Sequence, residues 1–407
     1  MTHNRMIWVV TGLLLLGACR HKAEQPQPER YVVVLSMDGF RNDYPDRADT
    51  PHFDSIAKTG VRAALIPCFP SVTFPNHYSM ATGLHPDHHG VVNNAFYDSR
   101  LQQEYCMNNY EAVSDPAFYN GEPVWVTAEK QKVRTATLFW FGSEVPVGGI
   151  LPSICKKYDR SLSFEARADT VINWLRLPEE QRPHLIMWYI EEPDHSGHRY
   201  GPDGEETLRM VEHIDSLVGA FMAKARELPI YDRIDFIFLS DHGMAKLQPD
   251  KYVNLSDYMP RDSFEHVYDG VPTLLYPKES YTNTAYRILK KVPDIYFWRK
   301  EYITARFVYG QNPRIGQLVV VPTIGGMVHF RPESRPKTGG AHGYDNFDTE
   351  MYAVFYGTGP SFRTGIVGQP IPNIHIYSLI TQLLGIEPAP NDGTPEKVKQ
   401  WLKRPSP

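Results

Sequence analysis

From Tyr31 onward, short runs of β-branched and aromatic residues alternate with longer amphipathic segments. This alternation limits the fold more than any other feature, because parallel strands need a crossover between them, usually a helix. The strand candidates are YVVVLSMDG (31–39), GVRAALIPC (60–68), VRTATLFW (133–140), HLIMWYIEE (184–192), IDFIFLSDHG (234–243) and MYAVFYGTG (351–359). Between them lie helical patterns. The clearest runs from about Thr207 to Leu228, with Leu208, Val211, Ile214, Leu217, Val218, Phe221 and Ala225 on one stripe. FEARADTVINWLRLP (164–178) and IHIYSLITQLLG (374–385) supply two more. The expected product is an α/β domain over 31–405 with a largely parallel sheet. The stretch of about 245–336 breaks the rhythm with polar, aromatic and proline-containing segments and reads as an inserted subdomain.

The chain of 407 residues has 42% hydrophobic and 22% charged residues and a net charge of −5, ample material for a core. Nucleic-acid surfaces need clustered Lys and Arg to displace counterions, and no such tract occurs. At the N-terminus, Arg5 precedes the apolar run MIWVVTGLLLLGAC (6–19), too short to span a bilayer but suited to a signal-peptide core over 1–18. Its end, Leu16-Gly17-Ala18-Cys19, resembles a bacterial lipobox. That resemblance implies an exported protein lipidated on Cys19, with 19–30 as a polar tether, attached to the cell envelope and facing the periplasm or exterior. Three other cysteines, Cys68, Cys106 and Cys155, allow one disulfide at most, and no C-x-x-C spacing offers a thiolate zinc site.

In open parallel sheets, ligands bind outside the carboxyl ends of the strands. Acidic residues stand at three such ends: Asp38, Asp194, and Asp241 with His242 beside it. His198 follows Asp194 by one helical turn, and His342 sits in the glycine-flanked GGAHGYDN. Any one of these is ordinary, since an Asp after a strand commonly caps a helix. Together they form a set of oxygen and imidazole donors without sulfur, which suits zinc or another divalent metal in a catalytic centre. Converging carboxylates would repel and force some to protonate. Two dications reverse that balance, and metals about 4 Å apart can hold the attacking and leaving oxygens of an in-line displacement.

FPSVTFPNHYSMATG (69–83) contains several candidate nucleophiles. Pro75 suits a first helical turn, Thr73 is placed like an N-cap, and Gly83 would end a helix of about two turns. A helix N-terminus favours anions, and a metal could deprotonate the Thr73 hydroxyl as it lowers the pKa of water from 15.7 to about 7. Ser71 reads as a backbone-bonding residue and Ser79 as structural. His77 invites a serine-hydrolase reading, yet no G-x-S-x-G elbow surrounds these serines.

FPSVTFPNHYSMATGLHPDHHGVVNN, GEPVWVTA, EEPDHSGHRYGP, LSDHGM and AHGYDN, in this order, resemble the nucleotide pyrophosphatase/phosphodiesterase family of the alkaline-phosphatase superfamily over about 31–391. The resemblance implies a three-layer sandwich, a central sheet flanked by helices, and two zinc ions. Asp194, His198 and His342 would hold one ion; Asp38, Asp241, His242 and the Thr73 oxygen would hold the other. Thr73 would attack phosphorus to form a covalent threonine–phosphoryl intermediate, which metal-activated water hydrolyses. Asn94 and the Phe74 backbone N–H would donate to a non-bridging oxygen. Phe74 and Tyr158 would sandwich a nucleobase, with Trp140 and Glu144 lining the same pocket. Two positions depart from the animal nucleotide-cleaving pattern: Glu144 replaces an Asp, and NNYEAVSDPAF lacks the lysine placed there for distal phosphates.

A lysophospholipid or choline-phosphate phosphodiesterase would keep every metal ligand and change only the pocket. A sulfatase is disfavoured because Val72 replaces the arginine its motif needs. A phosphomonoesterase would need more positive donors than the neutral Asn94. A non-catalytic binding module would be expected to have lost a ligand or Thr73, and all seven positions are intact.

Overall fold

The computed structural model describes residues 30–331 and 338–403. The N-terminal apolar run, Cys19 and most of the tether therefore lie outside the described residues. All six strand candidates enter one nine-stranded sheet. Its spatial order is Ile366–Val367, Val61–Ile66, Ala353–Thr358, Ile234–Leu239, Tyr31–Met37, Leu185–Ile190, Thr135–Leu138 and Ile154–Lys156, with Ile371–Pro372 also pairing to Val61–Ile66. Every pairing is parallel except the two made by Ala353–Thr358.

Both faces of this sheet are covered, and the Tyr31–Met37 strand shows how. Its seven residues are all buried. Successive side chains point to opposite faces, so Val32 and Val34 join one core while Tyr31, Val33, Leu35 and Met37 join another. The first core takes Tyr78, Met80 and Ala81 from helix Thr73–Thr82, and Leu379 and Ile380 from helix His375–Leu384. The second takes Val171 and Ile172 from helix Phe164–Leu175, and Ile214, Val218 and Phe221 from helix Glu205–Arg226. The long helix follows the expected apolar stripe. Glu205 and Glu206 in its first turn and Lys224 and Arg226 in its last suit the macrodipole.

Between Leu239 and Ala353 the described residues add no strand to this sheet. They build a separate antiparallel sheet in the order Phe264–Tyr268, Thr273–Pro277, Leu318–Pro322 and Ile295–Arg299. Leu275, Leu318 and Val320 pack there with Ala285 and Leu289 of helix Thr282–Leu289. Cys68, Cys106 and Cys155 are all free thiols, and burial pushes the Cys68 thiol up to about 12.

One buried cation joins this segment to the rest. Arg314 is 1% exposed and donates from Nε to Asp98 Oδ2 at 2.6 Å, from Nη1 to the Gly90 and Phe118 carbonyls, and from Nη2 to the Ala117 carbonyl. Asp98 ends the first strand of the hairpin Ala95–Asp98/Gln103–Cys106, immediately after Asn94. Removing one partner of a buried pair leaves the other charge and its carbonyl partners unsatisfied, at a cost of about 3–5 kcal/mol. Arg314→Met is therefore expected to lower the unfolding free energy obtained from urea titration by an amount in that range. A change below about 1 kcal/mol would mean that the pair is not fixing the hairpin.

Candidate metal centre and active site

Three adjacent parallel strands, Leu185–Ile190, Tyr31–Met37 and Ile234–Leu239, bring their carboxyl ends to one level, because Met37 is in register with Ile190 and Ser36 with Leu239. Asp38, Asp194 and Asp241 leave from that edge. Backbone bonds stitch the turns together: Asp38 N–H donates to the Ile190 carbonyl and Asp194 N–H to the Asp38 carbonyl. Gly39 (φ +64) permits this closeness, since a Cβ there would stand 2.8 Å from the Asp194 Cα. His198 lies one turn along helix Asp194–Tyr200, and His342 follows the two-residue strand Gly340–Ala341.

The donor atoms form two sets. In the first, His198 Nε2 and His342 Nε2 lie 3.4 and 3.5 Å from Asp194 Oδ1 and 3.1 Å from each other. In the second, His242 Nε2 lies 3.4 Å from Asp38 Oδ1, 3.1 Å from Asp241 Oδ2 and 3.2 Å from Thr73 Oγ1. The His242 and His342 rings stack at 3.6 Å, and donor atoms of Asp194, Asp38 and His242 also fall within 4.8 Å of one another. Asp194 thus stands between the two sets.

The protonation pattern is what a cation needs. Each Nδ1 faces a backbone carbonyl: His198 that of Gly340, His342 that of Ser71, and His242 that of Gly243, at 2.9, 3.0 and 2.9 Å. In its neutral form each ring therefore carries the proton on Nδ1 and turns the Nε2 lone pair inward. The buried oxygens Asp38 Oδ1, Asp194 Oδ1 and Asp241 Oδ2 have no hydrogen-bond partner among the described residues. Tyr189 O–H donates to Asp38 Oδ2 at 2.6 Å, and Gly39 N–H donates to Asp241 Oδ1 at 3.1 Å. One oxygen of each of these two carboxylates is thereby tied while the other stays bare. Zinc about 2.0–2.1 Å from tetrahedral donors separates them by about 3.3–3.4 Å. The edges of both sets fall around that value.

Buried charge shifts the titrations accordingly. Burial, then the Asp241 and Asp194 carboxylates, push Asp38 well above its usual 3.8. Burial works in the same direction on Asp241, but His242 and His77 hold it below the ordinary range. Burial, with His242 and His198 alongside, keeps His342 well below its usual 6.5.

Thr73 is the first residue of helix Thr73–Thr82 and not its N-cap. Val72 occupies the cap position with extended backbone and no side-chain bond, so the Thr73 hydroxyl is released from capping and reaches His242. Gly83 (φ +69) closes the helix as expected, though after nearly three turns. Ser71 Oγ donates to the Tyr344 carbonyl and Ser79 Oγ meets His89 Nε2, so neither serine enters the site. Phe74 N–H donates to Asn94 Oδ1 at 3.0 Å. The two groups expected to act as parallel donors are thus bonded to each other, which leaves the Asn94 NH2 as the donor for a ligand.

The expected pocket wall is rearranged. Trp140 is 1% exposed and packs edge-on against His77, which places it in the core behind the site. Phe141 is the residue that meets Phe74, stacked at 4.0 Å. Tyr158 is 49% exposed, and its N–H donates to Glu144 Oε1. Tyr110, absent from the sequence expectation, donates its hydroxyl to Glu144 Oε2 at 2.9 Å. Its only signal was a large aromatic in a polar stretch. Tyr189 was equally hidden, as one more aromatic in an apolar strand.

Residues 32–345 match the family model for type I phosphodiesterase/nucleotide pyrophosphatase. The chain belongs to this family. It is 35% identical over 388 residues to human ectonucleotide pyrophosphatase/phosphodiesterase family member 1, covering 92% of this chain and 42% of that protein. It is also 35% identical over 390 residues to a venom phosphodiesterase of Crotalus durissus collilineatus, covering 92% and 46%. It thus spans less than half the length of these curated relatives. Among solved structures, murine ectonucleotide pyrophosphatase/phosphodiesterase 5, an inactive threonine-to-alanine variant in complex with AMP, superposes with a TM-score of 0.88 at 29% identity, covering 92% of this chain and 100% of that one. The human member 5 structure gives the same TM-score at 28% identity. The family's alkaline-phosphatase-like α/β sandwich is the fold described above.

Without metal, acid is expected to destabilise the protein. Unfolded histidine takes a proton near 6.5, whereas folded His342 resists it, so stability falls as pH drops from about 6.5 toward the lower folded value. Thermal unfolding of chelator-treated protein from pH 8 to 5 checks this, and His342→Asn should flatten the slope.

Proposed function

We propose that the protein is a zinc-dependent phosphodiesterase that hydrolyses phosphodiester and pyrophosphate bonds of nucleotides and nucleotide esters, releasing nucleoside monophosphate. The observation that carries this reading is the pair of donor sets around Thr73: bare imidazole nitrogens and bare carboxylate oxygens at tetrahedral spacing, with a hydroxyl that caps nothing. The residues present fit two zinc ions, one held by Asp194, His198 and His342 and the other by Asp38, Asp241, His242 and Thr73 Oγ1. Bound zinc would supply Lewis-acid charge for the phosphoryl group and lower the pKa of the threonine hydroxyl.

The chain's own groups account for the remainder. Thr73 Oγ1 attacks phosphorus in line with the leaving oxygen, and the nucleotide becomes esterified to threonine before water releases it. The Asn94 NH2 donates to a non-bridging oxygen, its carbonyl held by Phe74 N–H. Phe74, braced by Phe141, and the half-exposed Tyr158 offer aromatic faces to a base, with the carboxylate of Glu144 at the pocket edge. The AMP in the murine structure and the inactivity of its threonine-to-alanine variant support this reading. Against a choline headgroup, the Lys157 ammonium already sits 5.7 Å over the Tyr110 ring beside Glu144, where it would repel a second cation.

We read 31–405 as the catalytic domain and 245–336 as a subdomain inserted in it, a reading that the separate sheet and its own apolar cluster support. No helix among the described residues is long and apolar enough to cross a membrane. Lipidation at Cys19 would attach the exported protein to the bacterial envelope, and Cys19→Ala is expected to shift it from the membrane fraction to the soluble one.

The full chain is expected to cleave p-nitrophenyl nucleotide esters faster than p-nitrophenyl phosphate or p-nitrophenyl phosphocholine. Chelator should abolish turnover and zinc restore it, and Thr73→Ala should lower kcat by about a thousandfold or more. Faster release from the phosphocholine ester would replace the nucleotide assignment with a lipid-headgroup one. Full activity in Thr73→Ala would remove the threonine mechanism.

A further inference from the structure

Behind the metal centre, Ser36 and His77, which have no role in the reaction above, form a buried line with the ligand Asp241. Ser36, His77 and Asp241 are each 0% exposed. Ser36 Oγ meets His77 Nε2 at 2.8 Å, and His77 Nδ1 lies 3.0 Å from the Thr73 carbonyl and 3.3 Å from Asp241 Oδ2. Hydroxyl, imidazole and carboxylate follow one another as in a serine hydrolase, but no substrate can reach Ser36. The two neighbours of Nδ1 are both acceptors, so Nδ1 carries the ring proton and Nε2 accepts from the serine hydroxyl. Trp140 and Tyr189 stand edge-on to the ring at 5.3 and 5.2 Å and fix its plane.

We infer that His77 is a positioning residue that sets the distance between the nucleophile and its metal ligand. Its Nδ1–H bonds the carbonyl of Thr73 itself, at the first position of the helix, and the same N–H edge lies against the carboxylate of Asp241. Because that N–H is directed at Thr73, Asp241 Oδ2 keeps no hydrogen bond and stays bare toward His242, 3.1 Å away. One ring thus touches the backbone of the attacking residue on helix Thr73–Thr82 and a ligand from the end of strand Ile234–Leu239. Ser36, on the neighbouring strand Tyr31–Met37, holds the ring from behind.

The inference rests on the two-metal reading, and the choice of amide variant separates it from simple core filling. Asn can place its NH2 near the position of Nδ1, whereas Gln reaches only toward that of Nε2. Positioning through Nδ1 therefore ranks His77→Asn above His77→Gln. A ring that merely fills space and satisfies Ser36 ranks them in the opposite order, since Gln is closer in volume. Groups that orient metal ligands typically change metal affinity by about 10–100-fold. Zinc affinity, measured on the full chain by competition with a chromogenic chelator, is expected to be at least about tenfold weaker in His77→Gln than in His77→Asn. The kcat on a p-nitrophenyl nucleotide ester should follow the same order with little change in KM.

Equal affinities, or tighter binding by His77→Gln, would overturn the inference. If neither variant folds, Ser36→Ala carries the test, because it removes one oxygen behind the ring. It is expected to weaken zinc binding by about threefold or more, and unchanged binding overturns the inference. Wild-type protein that binds no zinc would instead overturn the two-metal reading and this inference with it.

Discussion

Bare imidazole nitrogens 3.1 Å apart and bare carboxylate oxygens around them are mutually repulsive in a buried site unless positive charge lies between them. The fold nevertheless holds them there. Nδ1 bonds to the carbonyls of Gly340, Ser71 and Gly243 prevent the three rings from turning away, while Tyr189 and Gly39 tie the far oxygens of Asp38 and Asp241. Such an arrangement calls for positive charge between its members. That requirement connects the metal centre to the chemistry proposed for Thr73.

The sheet makes this concentration of like groups possible. Three parallel strands in register end at one level, and their turns are short enough to be joined backbone to backbone. Both faces of the strands are buried under helices, so strand ends shift little when charge is loaded onto them. On the other side of the pocket, the buried Arg314–Asp98 pair holds the hairpin that follows Asn94. The residues proposed to hold metal and those proposed to hold phosphate are thus anchored by different interactions.

Strands and long helices were legible because their periodicity is a local property. YVVVLSM, LIMWYI and IDFIFL contain β-branched and aromatic runs that satisfy two buried faces, and the stripe from Leu208 to Ala225 fits only a helix. The metal-type side chains were legible because residues at the carboxyl ends of neighbouring parallel strands must meet. Thr73 was misread as a cap, since TFPN matches the cap pattern and only the extended conformation of Val72 shows the helix starting one residue later. Trp140 and Phe141 could not be sorted into core and wall by composition. Which ring faces the pocket depends on the turn after strand Thr135–Leu138, where Phe139 adopts φ +67. Tyr110, Tyr189 and His77 act through contacts with residues distant in the chain or on another element, and no spacing rule could find them.

The sequence by itself determined the α/β class, the family and the kinds of donor available, because these follow from local patterning and from motifs whose order is preserved along the chain. Only the tertiary structure decided which donor oxygen is bare, which ring nitrogen carries the proton, and that the Phe74 N–H is committed to Asn94. Those properties depend on hydrogen bonds between residues up to 271 positions apart, such as His342 to the Ser71 carbonyl. Apart from His242, whose Nδ1 partner is the adjacent Gly243 carbonyl, their partners are set by how strands and helices pack.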